Sequence, residues 1–407
     1  MNVCERFDRV AENNDDIAIE NPTGEDKSYR RLRRESGYVA ALLRDEGVEA
    51  TDRIALHLPN DPAYLSVVLG IWRVGAIAVP IDGRWDADVT DHVVADLEPE
   101  MAITTDEYAE KLRVQTSDDT LTDVPLEQIC IGADGDLGLS TVERPSFEIE
   151  KQLDEDIAKV VYTSGTTGVP KGVIHTHRNV TASTQMSIDV FDITASDGYL
   201  AAVSLARSPG IYGSALPVLC TGGSVVVQSD WDAEQWARLV EEYEPRLSLL
   251  KPEQVREAID DERAAEYDTS SMETCLVTTG LLRAQSTFND FRDIYGIENV
   301  INYYGQTESL AVSMARLSED SRPNCIGEPV SVVETKLVDL DSRRELPPGN
   351  EGELLLRGDV VTPGYWNRNN EASELFTDGW LRTEDVIYQD EDGCLYFRNR
   401  LDNRRDD

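Results

Sequence analysis

Hydrophobic positions along the chain follow two alternating periods. From Tyr29 to Glu46 the apolar residues Leu32, Val39, Leu42 and Leu43 recur at helical spacing, and Gly47 is a natural stop, which predicts a helix. Arg53 to Leu58 reads as a short apolar strand closed by Pro59-Asn60. Pro62 then opens a predicted helix that runs to Arg73, and Ala76 to Ile81 returns to strand. The alternation resumes downstream, with a helical pattern over Trp231 to Tyr243 and buried-strand patterns at Val225 to Val227, Leu247 to Leu250 and Cys275 to Thr278. Strands alternating with helices predict parallel sheets covered on both faces. Residues 112–150 are polar, Asp-rich and weakly periodic, as in a surface connection. From about residue 326 the texture shifts to short strands and tight turns, at Thr335 to Asp339, Pro347-Pro348-Gly349, Glu353 to Arg357, Asp392-Gly393 and Leu395 to Phe397. That texture predicts a small β-rich unit, a barrel or an open sheet. No internal repeat recurs at a fixed period.

Composition narrows the function. The 407 residues suit two or three units at ~150 residues each and can bury a core without disulfides. Lys and Arg total 38 against 78 Asp and Glu, a formal charge of −40. A chain this acidic repels phosphate backbones and anionic lipid, which argues against nucleic-acid or membrane-surface binding. The acids are spread along the chain rather than gathered in a tail, so they read as a carboxylate-rich, halophile-like surface on which counterions screen the repulsion. Six scattered cysteines form no CxxC pair and predict buried thiols in a reducing compartment, without a structural zinc. The N-terminus shows no basic stretch followed by an apolar one. The most apolar segment, Tyr64 to Ile81, is broken by Arg73 and reads as a buried helix and strand rather than a membrane span. The expected compartment is the cytoplasm.

The segment from Val160 to Ile174 carries the chemistry. It is an apolar strand, a loop of glycines and small hydroxyl residues, and a second apolar strand. Backbone N–H groups freed by Gly, hydroxyl donors and one Lys are what polyphosphate recognition requires. The order differs from the P-loop, because Gly172 rather than Ser or Thr follows Lys171 and a strand rather than a helix comes next. A bare four-residue match would favour an ordinary hairpin turn; eleven consecutive residues of this composition do not.

Tyr162 to Gly172 resembles the YTSGTTGxPKG signature of the adenylate-forming (AMP-binding) superfamily, which includes acyl-CoA synthetases, aryl-CoA ligases, luciferases and the adenylation domains of peptide synthetases. Further landmarks follow in the family's order: Leu58-Pro59-Asn60 with Gly75-Ala76, Tyr304-Gly305-Gln306-Thr307-Glu308, Gly352-Glu353-Leu354, Gly364-Tyr365-Trp366, Thr377 to Asp385, and Arg400-Leu401-Asp402. The resemblance implies an α/β fold of acyl-CoA synthetase N-terminal type, with two parallel-sheet subdomains, covering helices and a small β-barrel subdomain. It implies an N-terminal catalytic domain over 1–398, with α/β subdomains at about 75–205 and at 20–74 plus 206–325, a β-rich subdomain at 326–398 and a hinge stub at 399–407.

The reaction it implies has two steps: a carboxylate attacks the α-phosphorus of ATP to give acyl-adenylate and pyrophosphate, and coenzyme A then takes the acyl group. On this resemblance Thr163, Ser164, Gly165, Thr166, Thr167, Gly168 and Lys171 hold the β- and γ-phosphates. Thr307 donates to the α-phosphate and Glu308 holds Mg2+. Tyr304, flanked by Tyr303, Gly305 and Gln306, lies against the adenine, and Gly280-Leu281-Leu282 line its edge. Asp385 accepts the ribose hydroxyls with Arg400 in support. Thr163, Lys171, Thr307 and Glu308 are the expected catalytic set.

Some positions depart from the pattern. Glu384 stands where the family has Gly, and Arg398-Asn399 replace an apolar-Gly pair. Arg207 falls where a His gates the acid pocket; it could meet the substrate carboxylate or form a structural salt bridge. His175 and His177 are expected to be strand and turn residues. Gly305 occupies a position where acetate-restricted members carry Trp, which implies an open pocket and a medium-chain or aromatic acid. The expected partners are the acid, ATP and CoA; loading of a carrier-protein thiol and nucleotide binding without turnover are the alternatives. In the family a C-terminal lid follows the hinge and brings a Lys to the reaction. The 407 residues stop five after Asp402, so a separate lid domain is an expected partner and turnover without it is expected to be impaired.

Overall fold

In the computed structural model, residues 2–83, 85–105, 127–131, 149–163, 170–278, 285–317, 324–368 and 375–401 are described. Their strands form two sheets. The smaller runs in the order Glu127–Ile131, Met101–Thr105, Arg53–His57, Ile77–Pro80, Ile157–Thr163, Lys171–Thr176. Every neighbouring pair is parallel except the last, where Ile157–Thr163 turns back antiparallel onto Lys171–Thr176 and Thr163 faces Lys171. The strand at Arg53–His57, expected with the other sheet, pairs here with Ile77–Pro80 and Met101–Thr105. The expected surface connection over 112–150 contains a strand, Glu127–Ile131, at the edge of this sheet.

The larger sheet has a parallel half and an antiparallel half. Its parallel strands lie in the order Asn299–Gln306, Thr274–Thr278, Leu247–Leu250, Gly198–Ala201, Ser224–Val227, Ile17–Glu20. Of these, Ser224–Val227, Leu247–Leu250 and Thr274–Thr278 are apolar, largely buried runs, as parallel strands covered by helices must be. Asn299–Gln306 then pairs antiparallel with Leu310–Arg316, and the array continues through Cys325–Pro329, Leu395–Arg400, Trp380–Gln389, Glu351–Gly358 and Val333–Val338. The expected barrel is therefore not seen. Among the described residues no pairing closes these strands, and they extend the parallel sheet as an open antiparallel array.

Helices form where the patterns place them. Ser28 caps the helix Tyr29–Asp45 by accepting from the Arg31 N–H. All eleven residues of Ala63–Arg73 are buried. The two helices pack so closely that a Cβ on Gly70 would meet the Val39 Cβ at 2.5 Å. Arg73, which interrupts the apolar stretch, is buried and bonded to Asp8 and to the Ser36 hydroxyl, so its charge is paired inside the core. No helix among the described residues is long and apolar enough to cross a membrane. Cys4 and Cys220 are buried, with thiols pushed up to about 12 by burial. Cys325 and Cys394, 69 residues apart in sequence, bring their sulfurs within 3.2 Å as free thiols.

Candidate active site

The strand Asn299–Gln306 ends in a tight turn that carries Thr307 and Glu308, and Leu310–Arg316 returns beside it. The register slips between Tyr304 and Gly305, which pair with Ser313 and Ala311, so Val312 is the extra residue of a bulge in the returning strand. A Cβ on Gly305 would lie 1.7 Å from the Leu310 carbonyl oxygen. This overturns the expected role of Gly305 as open acid-pocket volume: the missing side chain makes room for the backbone of the neighbouring strand.

Asp385 comes to this strand end from the antiparallel array. In Trp380–Gln389 the pairing passes from Leu355↔Arg382 to Glu353↔Val386, so Thr383, Glu384 and Asp385 bulge opposite the single residue Leu354. Thr383 pins the bulge by donating its hydroxyl to the Leu354 carbonyl at 2.8 Å, while accepting from the Asp385 N–H at 3.1 Å. Glu384 sits at φ +59°, in the left-handed region that a glycine would adopt freely.

The bulge buries Asp385 and turns its carboxylate toward the strand end. Tyr304 Oη donates to Oδ2 at 2.5 Å and Gln306 Nε2 to the same oxygen at 2.7 Å. Gln306 also reaches the Thr383 carbonyl at 2.9 Å. Arg400, the pairing partner of Asp385, brings Nε to 3.4 Å from Oδ1 without hydrogen-bond geometry, and both atoms are buried and unsatisfied. Burial raises the Asp385 pKa, with Arg400 and the two donors opposing it. Four expected site residues, Tyr304, Gln306, Asp385 and Arg400, are thus brought together, and the Tyr304 hydroxyl is committed to Asp385. Tyr303 is buried on the same strand.

A second group surrounds the turn. Tyr365 Oη donates to Glu308 Oε1 at 3.0 Å, and Lys171 Nζ lies 5.3 Å from the centroid of the same ring. Thr307 offers its carbonyl to His175 Nε2 at 2.8 Å, which makes Nε2 the protonated nitrogen of a neutral ring. Burial pushes that histidine down to about 4, with Lys159 adding repulsion. His175 is a strand residue, as expected, but its reach to Thr307 had no signal in the sequence; His177 opens the helix His177–Val190. Gly172 has no room for a side chain, since a Cβ would lie 2.8–3.1 Å from Val160, Tyr162 and Trp366.

Thr163 and Lys171 face each other at the base of the hairpin. Ser164, Gly165, Thr166, Thr167 and Gly168 between them lie outside the described residues, as do Gly280, Leu281, Leu282 and Asp402. Arg207 makes the structural salt bridge, with Nη2 at 2.7 Å from Asp82 Oδ2. Beside it the wholly buried Lys159 donates to the Ala206 carbonyl at 2.9 Å and is pushed down to about 7, first by burial and then by Arg207. Lys159 is a cation that the motifs did not single out.

A parallel sheet ending in a turn of Thr and Glu, a hairpin whose sequence is Gly-rich and a buried carboxylate thus meet in one α/β fold. The model of the AMP-binding enzyme family matches residues 7–366, and the chain belongs to that family. It is 30% identical over 380 residues to a feruloyl-CoA synthase of Amycolatopsis sp, covering 92% of this chain and 73% of that protein. It is 28% identical to the peroxisomal OPC-8:0-CoA ligase 1 of Arabidopsis thaliana, covering 94% and 72%. In fold it is similar to the anthranilate CoA ligase AuaEII in complex with anthranoyl-AMP, with a TM-score of 0.88 at 24% identity over 99% of this chain and 77% of that one. The N-terminal domain of FACL13 from Mycobacterium tuberculosis gives 0.89 at 23% identity over 98% of this chain and 100% of that domain.

Proposed function

We propose that this chain is an AMP-forming acid–CoA ligase, which activates a carboxylic acid with ATP and passes the acyl group to coenzyme A. The observation that carries the reading is Asp385 Oδ1, a buried carboxylate oxygen that faces Arg400 Nε at 3.4 Å and accepts no hydrogen bond from the described residues. A buried carboxylate oxygen without a donor loses free energy unless a ligand supplies one, and a ribose diol offers hydroxyl donors of the right kind. Tyr304 and Gln306 hold the other oxygen, so Oδ1 is the acceptor that remains.

In this reading Thr163, Ser164, Thr166, Thr167 and Lys171 bind the outer phosphates, with Gly165 and Gly168 freeing backbone N–H groups. Thr307 orients the α-phosphate toward the attacking carboxylate, a positioning and charge-stabilising task. Glu308 suits Mg2+ as a half-buried carboxylate, an oxygen donor of the kind that ion prefers. Mg2+ commonly binds through one or two carboxylates plus substrate phosphates. When bound it would neutralise charge on the phosphates. The relatives named for feruloyl-CoA and OPC-8:0-CoA act on acids larger than acetate by their names, which supports a medium-chain or aromatic acid here over acetate.

Calorimetry with MgATP and a pyrophosphate-release screen over short, medium and aromatic acids test the reading. MgATP should bind, Asp385→Ala should weaken that binding about 10-fold or more, and release should depend on the acid. An intact chain that does not bind MgATP overturns the reading. Because turnover is expected to be impaired without the lid, the screen is run with a C-terminal lid domain added in trans; binding without acid-dependent release under those conditions favours a nucleotide-binding module. A preference for acetate overturns the substrate class.

A further inference from the structure

We propose that Tyr365 is the positioning residue that sets the two opposite charges of the site, Lys171 and Glu308, in place. This rests on the reading of those residues as phosphate and metal ligands, and adds a role that the motifs do not specify. Its hydroxyl donates to Glu308 Oε1 at 3.0 Å, and the face of its ring carries the Lys171 ammonium 5.3 Å from the centroid. One side chain therefore touches a cation from the hairpin of the smaller sheet and an acid from the turn of the larger one.

The backbone that carries Tyr365 is held from several directions. Trp366 N–H donates to the Gly172 carbonyl at 2.7 Å, Ile174 N–H donates to the Gly364 carbonyl at 3.1 Å, and Tyr365 bridges to Val173 between them. Thr362 ties this segment to both neighbours: its hydroxyl donates to the Ile174 carbonyl at 2.6 Å and its N–H to the Glu308 carbonyl at 2.8 Å. Trp366 Nε1 anchors the far side by donating to the Asp96 carbonyl at 3.2 Å. With its backbone held in this way, Tyr365 meets Glu308 through a charge-assisted hydrogen bond and Lys171 through the negative face of its ring. The carboxylate is held at the hydroxyl end and the ammonium over the face, so the two charges keep separate places.

The two contacts can be removed one at a time. Tyr365→Phe keeps the ring and loses the hydroxyl; Tyr365→Leu loses both. ATP binding is measured by calorimetry in EDTA and across a Mg2+ series, with melting curves confirming that each variant is folded. In Tyr365→Phe, metal-free ATP binding should stay within about 2-fold of wild type, while the Mg2+ concentration that half-saturates the enhancement of binding rises about 10-fold, the scale of one hydrogen bond to a charged group. Tyr365→Leu should also weaken metal-free binding by about 5-fold. In a Glu308→Gln background, Tyr365→Phe should move the Mg2+ dependence no further. An unchanged Mg2+ dependence in Tyr365→Phe, or equal losses in both variants, overturns this inference while leaving the reading of the site intact. No ATP binding by the wild type overturns the reading and this inference together.

Discussion

Glu384 shows what a single residue contributes to this site. At φ +59° it occupies a conformation that burdens an L-residue by about 1–2 kcal/mol, and it does so beside Asp385. The bulge that turns Asp385 toward Tyr304 and Gln306 thus carries backbone strain, stabilised by the Thr383 bond to the Leu354 carbonyl. Glu384→Gly should raise the unfolding free energy by about 1 kcal/mol, read as a higher urea midpoint at unchanged slope. A lower midpoint would mean that the Glu384 side chain stabilises the bulge by more than its backbone strain. The departure from the family pattern was visible at Glu384 in the sequence. The reason for that pattern, a left-handed backbone at the bulge, was not.

At the scale of elements, periodicity read helices and strands well and pairing poorly. The helices at Tyr29–Asp45 and Ala63–Arg73 and the parallel strands at Leu247–Leu250 and Thr274–Thr278 lie where their apolar spacing puts them. The barrel does not form among the described strands, and the sequence could not show this: a two-residue period fixes which face is buried and says nothing about which strand lies alongside. Gly305 failed as a clue to the substrate for a related reason: its environment is the Leu310 carbonyl on the neighbouring strand. Gly305→Ala should therefore destabilise the fold by about 2–3 kcal/mol through overpacking of the strand end, measured by chemical denaturation. A stable variant with altered acid preference would restore the pocket interpretation.

For the whole molecule the governing quantity is charge. With 78 acids against 38 basic residues, the folded chain bears a self-repulsion that salt relieves, since the Debye length falls from ~10 Å at 0.1 M to ~3 Å at 1 M. We expect the thermal midpoint to rise steadily between dilute buffer and molar KCl. A flat or falling midpoint would count against a surface adapted to high salt. Composition and ordered motifs by themselves determined this acidity and the α/β class, and they supplied the candidate residue types proposed for phosphate, ribose and metal, because those depend on side-chain chemistry and local period. Only the tertiary structure decided that Tyr304 and Gln306 share one oxygen of Asp385, that Tyr365 joins Lys171 to Glu308, and that His175 holds the Thr307 carbonyl. Those contacts join residues 57 to 194 positions apart through bulges and sheet edges, where backbone pairing rather than residue type sets the direction of each side chain.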